Sequence, residues 1–223
     1  MIRALIFDFD GLMLDTEMPE YQAWSEVYAD YGQELTINAW GACIGSTYDR
    51  FDPYGHIEQL TGTTIDREAV TSRIWQRHVE LLEGHDLLPG VRAYLADAQR
   101  LGLELAIASS SLGRHVNGHL ERLGIAEIFP VVVTRDKVAK PKPAPDLFTV
   151  AAKRVEVEPH ESLAFEDSPH GIRAAHDAGM FCIAVPNEIT RHLDVSLADI
   201  ILESLADVSL PDLLRRVMQE KTG

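Results

Sequence analysis

The 223-residue sequence predicts an α/β fold in which a doubly wound parallel sheet carries an inserted helical domain. Three observations predict it. Short apolar runs rich in β-branched residues alternate with amphipathic stretches over most of the chain, the rhythm of successive βαβ units. The runs are nearly continuous rather than alternating in polarity, as strands covered on both faces should be. Between residues 17 and 83 the rhythm breaks, and only helix-like segments occur. Together these give a Rossmann-like core built from residues 1–15 and 89–223, with an α-helical cap domain at residues 16–88.

The first strand reads Arg3–Phe7, followed by a connection, Gly11–Asp15, into the insertion. Helical segments follow at Glu20–Tyr31, Ile37–Cys43, around Ile57–Leu60, and at Asp66–Leu82. In the last, Val70, Ile74, Arg77/His78 and Leu81/Leu82 share one face at helical spacing. The chain returns through Gly84–Gly90, and Pro89 announces a helix over Val91–Arg100. Next come a strand at Leu103–Ala108, a helix at Arg114–Leu123 and a strand at Val131–Val133. Pro145 opens a helix over Asp146–Arg154, which leads to a strand at Leu163–Phe165. Ser168 and Pro169 read as N-cap and first residue of a helix, Pro169–Ala178, that Gly179 stops. A strand at Cys182–Val185 and a sixth near Ile200–Leu202 complete the sheet.

Twenty Lys and Arg against 35 Asp and Glu give a net charge of −15 and a pI near 4.9. A surface that binds nucleic acid or an anionic membrane needs the opposite sign. Residues 16–88 hold 13 acids and four bases, so the excess is concentrated in the insertion. No apolar run is long enough to span a bilayer, and the first residues reach acids too early for a signal peptide. Cys43 and Cys182 make no disulfide framework and lie in apolar surroundings, as buried thiols of a cytoplasmic protein would. A monomer or weak homo-oligomer is expected.

The chemistry should lie at the carboxyl ends of the strands, where open α/β sheets bind ligands. Asp8 and Asp10 end the first strand, and Gly11 permits the close turn that lets both face the crevice. Leu12-Met13-Leu14 exclude an EF-hand loop. Glu166 and Asp167 end the fourth strand. If the two strands are neighbours, four carboxylates converge, and like charges oppose their joint ionisation. A hard dication relieves this, and carboxylate, carbonyl and water ligands suit Mg2+, with Glu166 reaching it through water. Ser109-Ser110-Ser111 at the end of the second strand form either an anion cradle or a plain helix N-cap. In Lys140-Pro141-Lys142-Pro143-Ala144-Pro145, alternating prolines present Lys142 on a stiff backbone, suited to neutralising phosphoryl charge.

These four elements, in this order, resemble the motifs of the haloacid dehalogenase superfamily. Asp8-Phe9-Asp10-Gly11 is similar to the first, Ser109 to the second, Lys142 of Lys-Pro-Ala-Pro-Asp to the third, and Glu166-Asp167-Ser168 with Gly171-Ile172 to the fourth. The likeness covers essentially the whole chain. Helices between the first and second motifs resemble the cap of the subgroup that holds β-phosphoglucomutase and many sugar-phosphate phosphatases.

The resemblance implies a Mg2+-dependent phosphomonoesterase acting on a small phosphorylated metabolite, with a sugar phosphate expected. Asp8 would attack phosphorus and form an aspartyl-phosphate, and Asp10 would act as general acid and then base. Mg2+ would sit among the Asp8 carboxylate, the Asp10 carbonyl and Asp167, while Ser109, Ser110 and Lys142 hold phosphoryl oxygens. Asp10 separates this chemistry from the metal-free dehalogenases. The lysines are 137, 140, 142, 153 and 221, so the insertion lacks the Schiff-base lysine of a phosphonatase. A sugar phosphomutase is the alternative. Against it, Glu20 stands at the mutase's cap His position, the cap loop reads Gly45-Ser46-Thr47-Tyr48-Asp49 with Arg50 displaced, and the cap Lys is missing. A non-catalytic binding member of the fold is a further alternative, although a binder has no need of Asp10.

Tyr48 and Arg50 are candidates for substrate selectivity. Trp24, Trp40 and Trp75 either line a pocket or form the core of the insertion, with core expected for at least two. His115 and His119 stand four apart on a helix, the spacing of a zinc pair, but without the glutamate of HExxH. Lys137, Lys140 and Lys142 are expected to cluster beside the carboxylates.

Overall fold

The computed structural model describes residues 1–41 and 51–220. Six strands, β1 (Ala4–Phe7), β2 (Glu104–Ser109), β3 (Val131–Thr134), β4 (Ser162–Glu166), β5 (Phe181–Ala184) and β6 (Ile200–Ile201), form one parallel sheet. Its order is β3-β2-β1-β4-β5-β6. β1 is therefore central, and the order reverses between β1 and β4, where such sheets open a crevice. Phe7 pairs with Ile107 on one side and Phe165 on the other, which brings the ends of β1, β2 and β4 level.

Among the described residues the insertion holds four helices: α1 (Glu17–Asp30), α2 (Ile37–Gly41), α3 (Pro53–Thr61) and α4 (Arg67–Leu82). They share a hydrophobic cluster that includes Trp24, Tyr28, Trp40, Ile57 and Ile74. Two of the three tryptophans, Trp24 and Trp40, are thus core, whereas Trp75 is 56% exposed. α1 starts three residues before the expected Glu20, because Asp15 Oδ1 accepts from the Met18 N–H in its first turn. α3 is longer than expected, capped by Asp52, whose side chain accepts from the Tyr54 N–H.

Five more helices, α5 (Val91–Leu101), α6 (Gly113–Arg122), α7 (Asp146–Arg154), α8 (Pro169–Asp177) and α9 (Leu210–Glu220), cover the sheet. Alternation along β1 sends Leu5 and Phe7 to one face, with α5, α6 and α9, and Ala4 and Ile6 to the other, with α7 and α8. The first face is packed with large side chains, and Phe7 and Phe165 stack at 4.6 Å. The second relies on small ones, Ala106, Ala108 and Ala164. Every strand falls within two residues of its sequence-based bounds. Cys182 is buried, as expected, while Cys43 lies outside the described residues.

The sequence reading held no helix where α9 lies. Its Leu210, Leu213 and Val217 are fully buried against the α5 side of the sheet, and Ser209 Oγ accepts from the Asp212 N–H at its start. Leu213→Ala should cost about 2–5 kcal/mol by leaving a cavity. For a chain this long, thermal melting should fall by roughly 2–4 °C per kcal/mol. An unchanged melting temperature would show that α9 merely drapes over the core.

Candidate functional site

β1, β2 and β4 end together, and their next residues carry the polar groups. Burying a charge is expensive without partners, yet Lys142 is 4% exposed and Glu166 is 0% exposed. They are paired. Lys142 Nζ lies 2.7 Å from Asp8 Oδ1 and donates to Glu166 Oε1, and the Phe148 ring lies 5.0 Å beneath it. The other Glu166 oxygen accepts from the N–H groups of Asp167 and Ser168 and from Ser168 Oγ. Ser168 Oγ in turn accepts from the Gly171 N–H, so the N-cap expected at Ser168 is present and tied to the buried carboxylate. A Cβ at Gly171 would lie 1.8 Å from Glu166 Oε1, so only glycine leaves room.

Asp8 is raised to about 7 by burial and by the charge of Glu166, against the pull of Lys142. Asp167 is pushed well above the carboxylate range by burial, Glu17, Glu166 and Asp8. Burial disfavours the Lys142 ammonium, but Asp8 and Glu166 outweigh that and raise its pKa. One ammonium therefore sits among three buried carboxylates. Asp8, Glu166 and Asp167 each offer an oxygen within 4.8 Å of the others, a set that could hold a metal ion. All of these donors are oxygens, which suits a hard dication.

Asp10 faces the same space from a different neighbourhood. It accepts from Ser111 Oγ at 2.7 Å, from Ser109 Oγ at 3.3 Å, and from His115 Nε2 at 2.7 Å. Burial would raise its pKa, but the hydrogen bond and charge of His115, with Ser111 and Thr16, hold it below the usual range. Burial lowers His115, but Asp10 and Glu20 win and its pKa lies above the ordinary imidazole value. His119 has no such partner. Burial and the His115 charge pull it down to about 4.

The structure thus brings together Asp8, Asp10, Ser109, Lys142, Glu166 and Asp167. Ser110 lines the same cavity, its hydroxyl buried and without a hydrogen-bond partner among the described residues. Tyr48 and Arg50 lie outside the described residues. Lys137 and Lys140 do not join the cluster: both are exposed, and Lys137 Nζ turns back to the Val132 carbonyl. The stiff turn between them and the site presents Lys142 alone. In their place Arg114 and Arg135 line the cavity.

Sequence reasoning missed four participants. Thr16 and His115 approach Asp10, and Glu17 joins the acids. Asn187, after β5, donates through Nδ2 to Asp167 Oδ2 at 2.8 Å and to the Gly11 carbonyl at 3.2 Å. Its Oδ1 accepts from the N–H groups of Ile189 and Thr190, which fixes the amide's orientation. The only sequence signal for any of them was the His115/His119 spacing, which marked a helix face rather than a zinc pair.

The cavity above these groups measures about 470 Å3, within the range of small-molecule sites. The α1–α4 helices supply its other wall through Glu20, Trp24, Trp40, Tyr54, Thr71 and Trp75. α4 is fastened to the start of α1 by His78, whose buried Nε2–H donates to the Thr16 carbonyl at 2.9 Å.

Residues 5–185 match the model of the haloacid dehalogenase-like hydrolases. The phosphatase-named protein YhcW of Bacillus subtilis is 44% identical over 214 residues, 96% of this chain and 97% of that protein. The fructose-1-phosphate phosphatase YqaB of Escherichia coli is 35% identical over 194 residues, covering 82% and 95%. The solved structure of β-phosphoglucomutase from Clostridium difficile superposes with a TM-score of 0.79 over all of both chains, a likeness of fold at 23% identity.

Gly171→Ala should drive the Glu166 carboxylate off its four donors and strand Lys142. Breaking a buried pair in this way costs about 3–5 kcal/mol, read as a lower urea midpoint. A midpoint equal to wild type would show that the carboxylate has somewhere else to go.

Proposed function

The chain belongs to the haloacid dehalogenase-like hydrolase family, and on that premise we propose a Mg2+-dependent phosphomonoesterase acting on a small phosphorylated metabolite through an aspartyl-phosphate. One observation carries the reading: a buried ammonium grips an aspartate whose own oxygen borders two further acids, while a second aspartate sits apart in a ring of hydrogen bonds. The two aspartates have opposite environments, which is how one site assigns two roles to the same side chain.

Asp8 is the nucleophile. Its free oxygen forms a bond to phosphorus as the bond from phosphorus to the leaving oxygen breaks. Asp10 delivers a proton to that oxygen. His115 keeps a proton one hydrogen bond from the Asp10 carboxyl, so the pair can supply it and take it back. Asp10 then accepts a proton from water as the water's oxygen attacks phosphorus, releasing phosphate and the Asp8 carboxylate. Ser109, Ser110 and Lys142 hold the phosphoryl oxygens, and Lys142 offsets the charge that spreads over them. Asp8, the Asp10 carbonyl and Asp167 would hold Mg2+, with Glu166 acting through water and as the anchor of Lys142. When bound, the cation supplies positive charge to the phosphoryl group. Residues 16–88 act as the cap domain that closes the cavity over the substrate and excludes bulk water.

A sugar phosphate is the substrate class this reading favours, supported by the likeness to YqaB. A panel of phosphorylated metabolites, assayed together for free phosphate and for isomerised product, tests it. Net phosphate release is expected. Conversion of β-glucose 1-phosphate to the 6-phosphate without phosphate release would instead establish a mutase. EDTA should abolish hydrolysis of p-nitrophenyl phosphate, and so should Asp8→Asn. Substantial activity in either case removes the metal or the covalent intermediate from the mechanism.

Mg2+ should also stabilise the fold, because it binds only where the carboxylates are gathered. At a hundred times its dissociation constant the gain is about 2.7 kcal/mol. Asp167→Asn should raise the melting temperature of the metal-free protein, by relieving like-charge crowding, and abolish the rise on adding Mg2+. A variant that still responds fully would place the cation elsewhere.

A further inference from the structure

The loop after β5, residues 186–193, does something loops seldom do. Connections usually run over the surface, yet Ile189 is 1% exposed and Thr190 is 0% exposed. Ile189 does not pack into either face of the sheet. Its side chain belongs to the hydrophobic cluster of the inserted helices, together with Trp24, Trp40 and Ile57. A Cβ placed on Gly41, the last residue of α2, would touch Leu193 at 3.6 Å and Ile189 at 3.9 Å. One loop of the sheet domain is thus seated in the core of the insertion.

Two residues before Ile189 the same loop carries Asn187. Its Oδ1 accepts from the Ile189 N–H at 2.9 Å and from the Thr190 N–H at 3.0 Å, and its own N–H donates to Thr190 Oγ1 at 2.9 Å. These bonds fix which way the amide turns and present Nδ2 to the acids. Nδ2 donates to Asp167 Oδ2 at 2.8 Å and to the Gly11 carbonyl at 3.2 Å, and lies 3.4 Å from Glu17 Oε2 in the first turn of α1. The approach needs glycine, since a Cβ at Gly11 would lie 2.6 Å from Nδ2. An amide NH2 has two hydrogens, so three acceptors, from the sheet, the connection and the insertion, share them. A small shift of the loop changes how they are shared.

Asp167 has little else to orient it. Glu166 accepts from four donors and Asp10 from three. Among the described residues only Asn187 donates to the Asp167 carboxylate. The group that aims this carboxylate is itself aimed by the backbone N–H of Ile189, whose side chain sits among the helices of the insertion. Moving Ile189 therefore moves the donor.

We infer that Asn187 is the positioning residue of Asp167, and that residues 186–193 pass the seating of the cap to it through Ile189, so that cap packing and cation binding are coupled. The inference rests on the reading of Asp167 as a Mg2+ ligand. Such coupling is reciprocal: a cation that fixes Asp167 also fixes Ile189 in the cap.

Calorimetric titration of the metal-free protein with Mg2+ tests it without substrate or turnover. Asn187→Ala should weaken binding about tenfold or more, the usual effect of losing a group that orients a ligand. Ile189→Ala, which removes no hydrogen-bonding group, should weaken it about threefold or more. The double variant should bind no more weakly than Asn187→Ala, because Ile189 acts through the amide. Ile57→Ala truncates the same cluster and should lower the melting temperature while leaving Mg2+ affinity unchanged. The milder Ile189→Val is read by NMR in the metal-free protein. The Asn187 side-chain amide signals, identified by their absence from Asn187→Ala, should shift in Ile189→Val and stay in place in Ile57→Val. Unchanged affinity in either single variant, losses that multiply in the double variant, an equal loss in Ile57→Ala, or unmoved amide signals in Ile189→Val overturns the inference. A wild-type protein that binds no Mg2+ removes the cation reading and the coupling together, whereas a wild type that binds it beside unaffected variants removes the coupling alone.

Discussion

The Lys142 ammonium, buried between Asp8 and Glu166, is the interaction on which the rest of the site depends. Taking a lysine and two carboxylates out of water costs several kcal/mol per ion, so the arrangement persists only because the charges are paired and the second Glu166 oxygen is hydrogen-bonded. Glu166 reaches that state through the backbone: the turn from β4 into α8 aims the N–H groups of Asp167 and Ser168 at it. Gly171 leaves the space for its carboxylate, and the alanines of that sheet face let α7 and α8 pack closely on the sheet. The fold and the site are therefore one construction. The pair fixes where Asp8 points, and Asp8 sits where β1 ends.

That construction is incomplete by itself. Lys142 neutralises about one charge among three gathered carboxylates, and the raised values of Asp8 and Asp167 express the remainder. Protonation would relieve the crowding in one way and a dication in another, and only the second would leave Asp8 ionised, as the proposed attack on phosphorus requires. Asp10 needs no such help, because Ser111, Thr16 and His115 already hold its charge. The difference follows from the backbone: Asp8 faces the strand end it shares with β4, whereas Asp10, two residues on, faces the β2–α6 loop.

What the sequence made legible follows the same division. Asp8, Ser109, Lys142 and Glu166-Asp167 were readable because each sits at the end of a strand or on a stiff turn, and local pattern places it there. His115, Thr16, Glu17 and Asn187 were not, because what matters about them is the partner. His115 meets Asp10 across 105 positions, and Asn187 meets Gly11 across 176. A histidine pair at helical spacing says which face of α6 is inward, and only the fold says that an aspartate waits there. The opposite error, grouping Lys137 and Lys140 with Lys142, came from reading closeness in sequence as closeness in space. α9 escaped because it follows the last strand, beyond the alternation that announced the other helices.

The charge distribution can be argued to the same end. Part of the insertion's acidity lies on its outside, where Asp30, Asp52, Glu58, Glu26 and Glu80 engage Arg67, Arg73 and Arg77 in exposed or half-buried pairs. Such pairs contribute little to stability, and at physiological salt their fields fade beyond about 8 Å. They neither repel nor attract a ligand inside the cavity. Glu17 and Glu20 differ, since both line the cavity wall. Glu17 belongs with Asp167, to which Asn187 couples it, while Glu20 faces the space a substrate would fill, where a carboxylate can accept hydrogen bonds from hydroxyls. A net charge of −15 is thus compatible with an anionic substrate: the outer surface is screened, and within the cavity Lys142, Arg114 and Arg135 stand beside the acids at the strand ends.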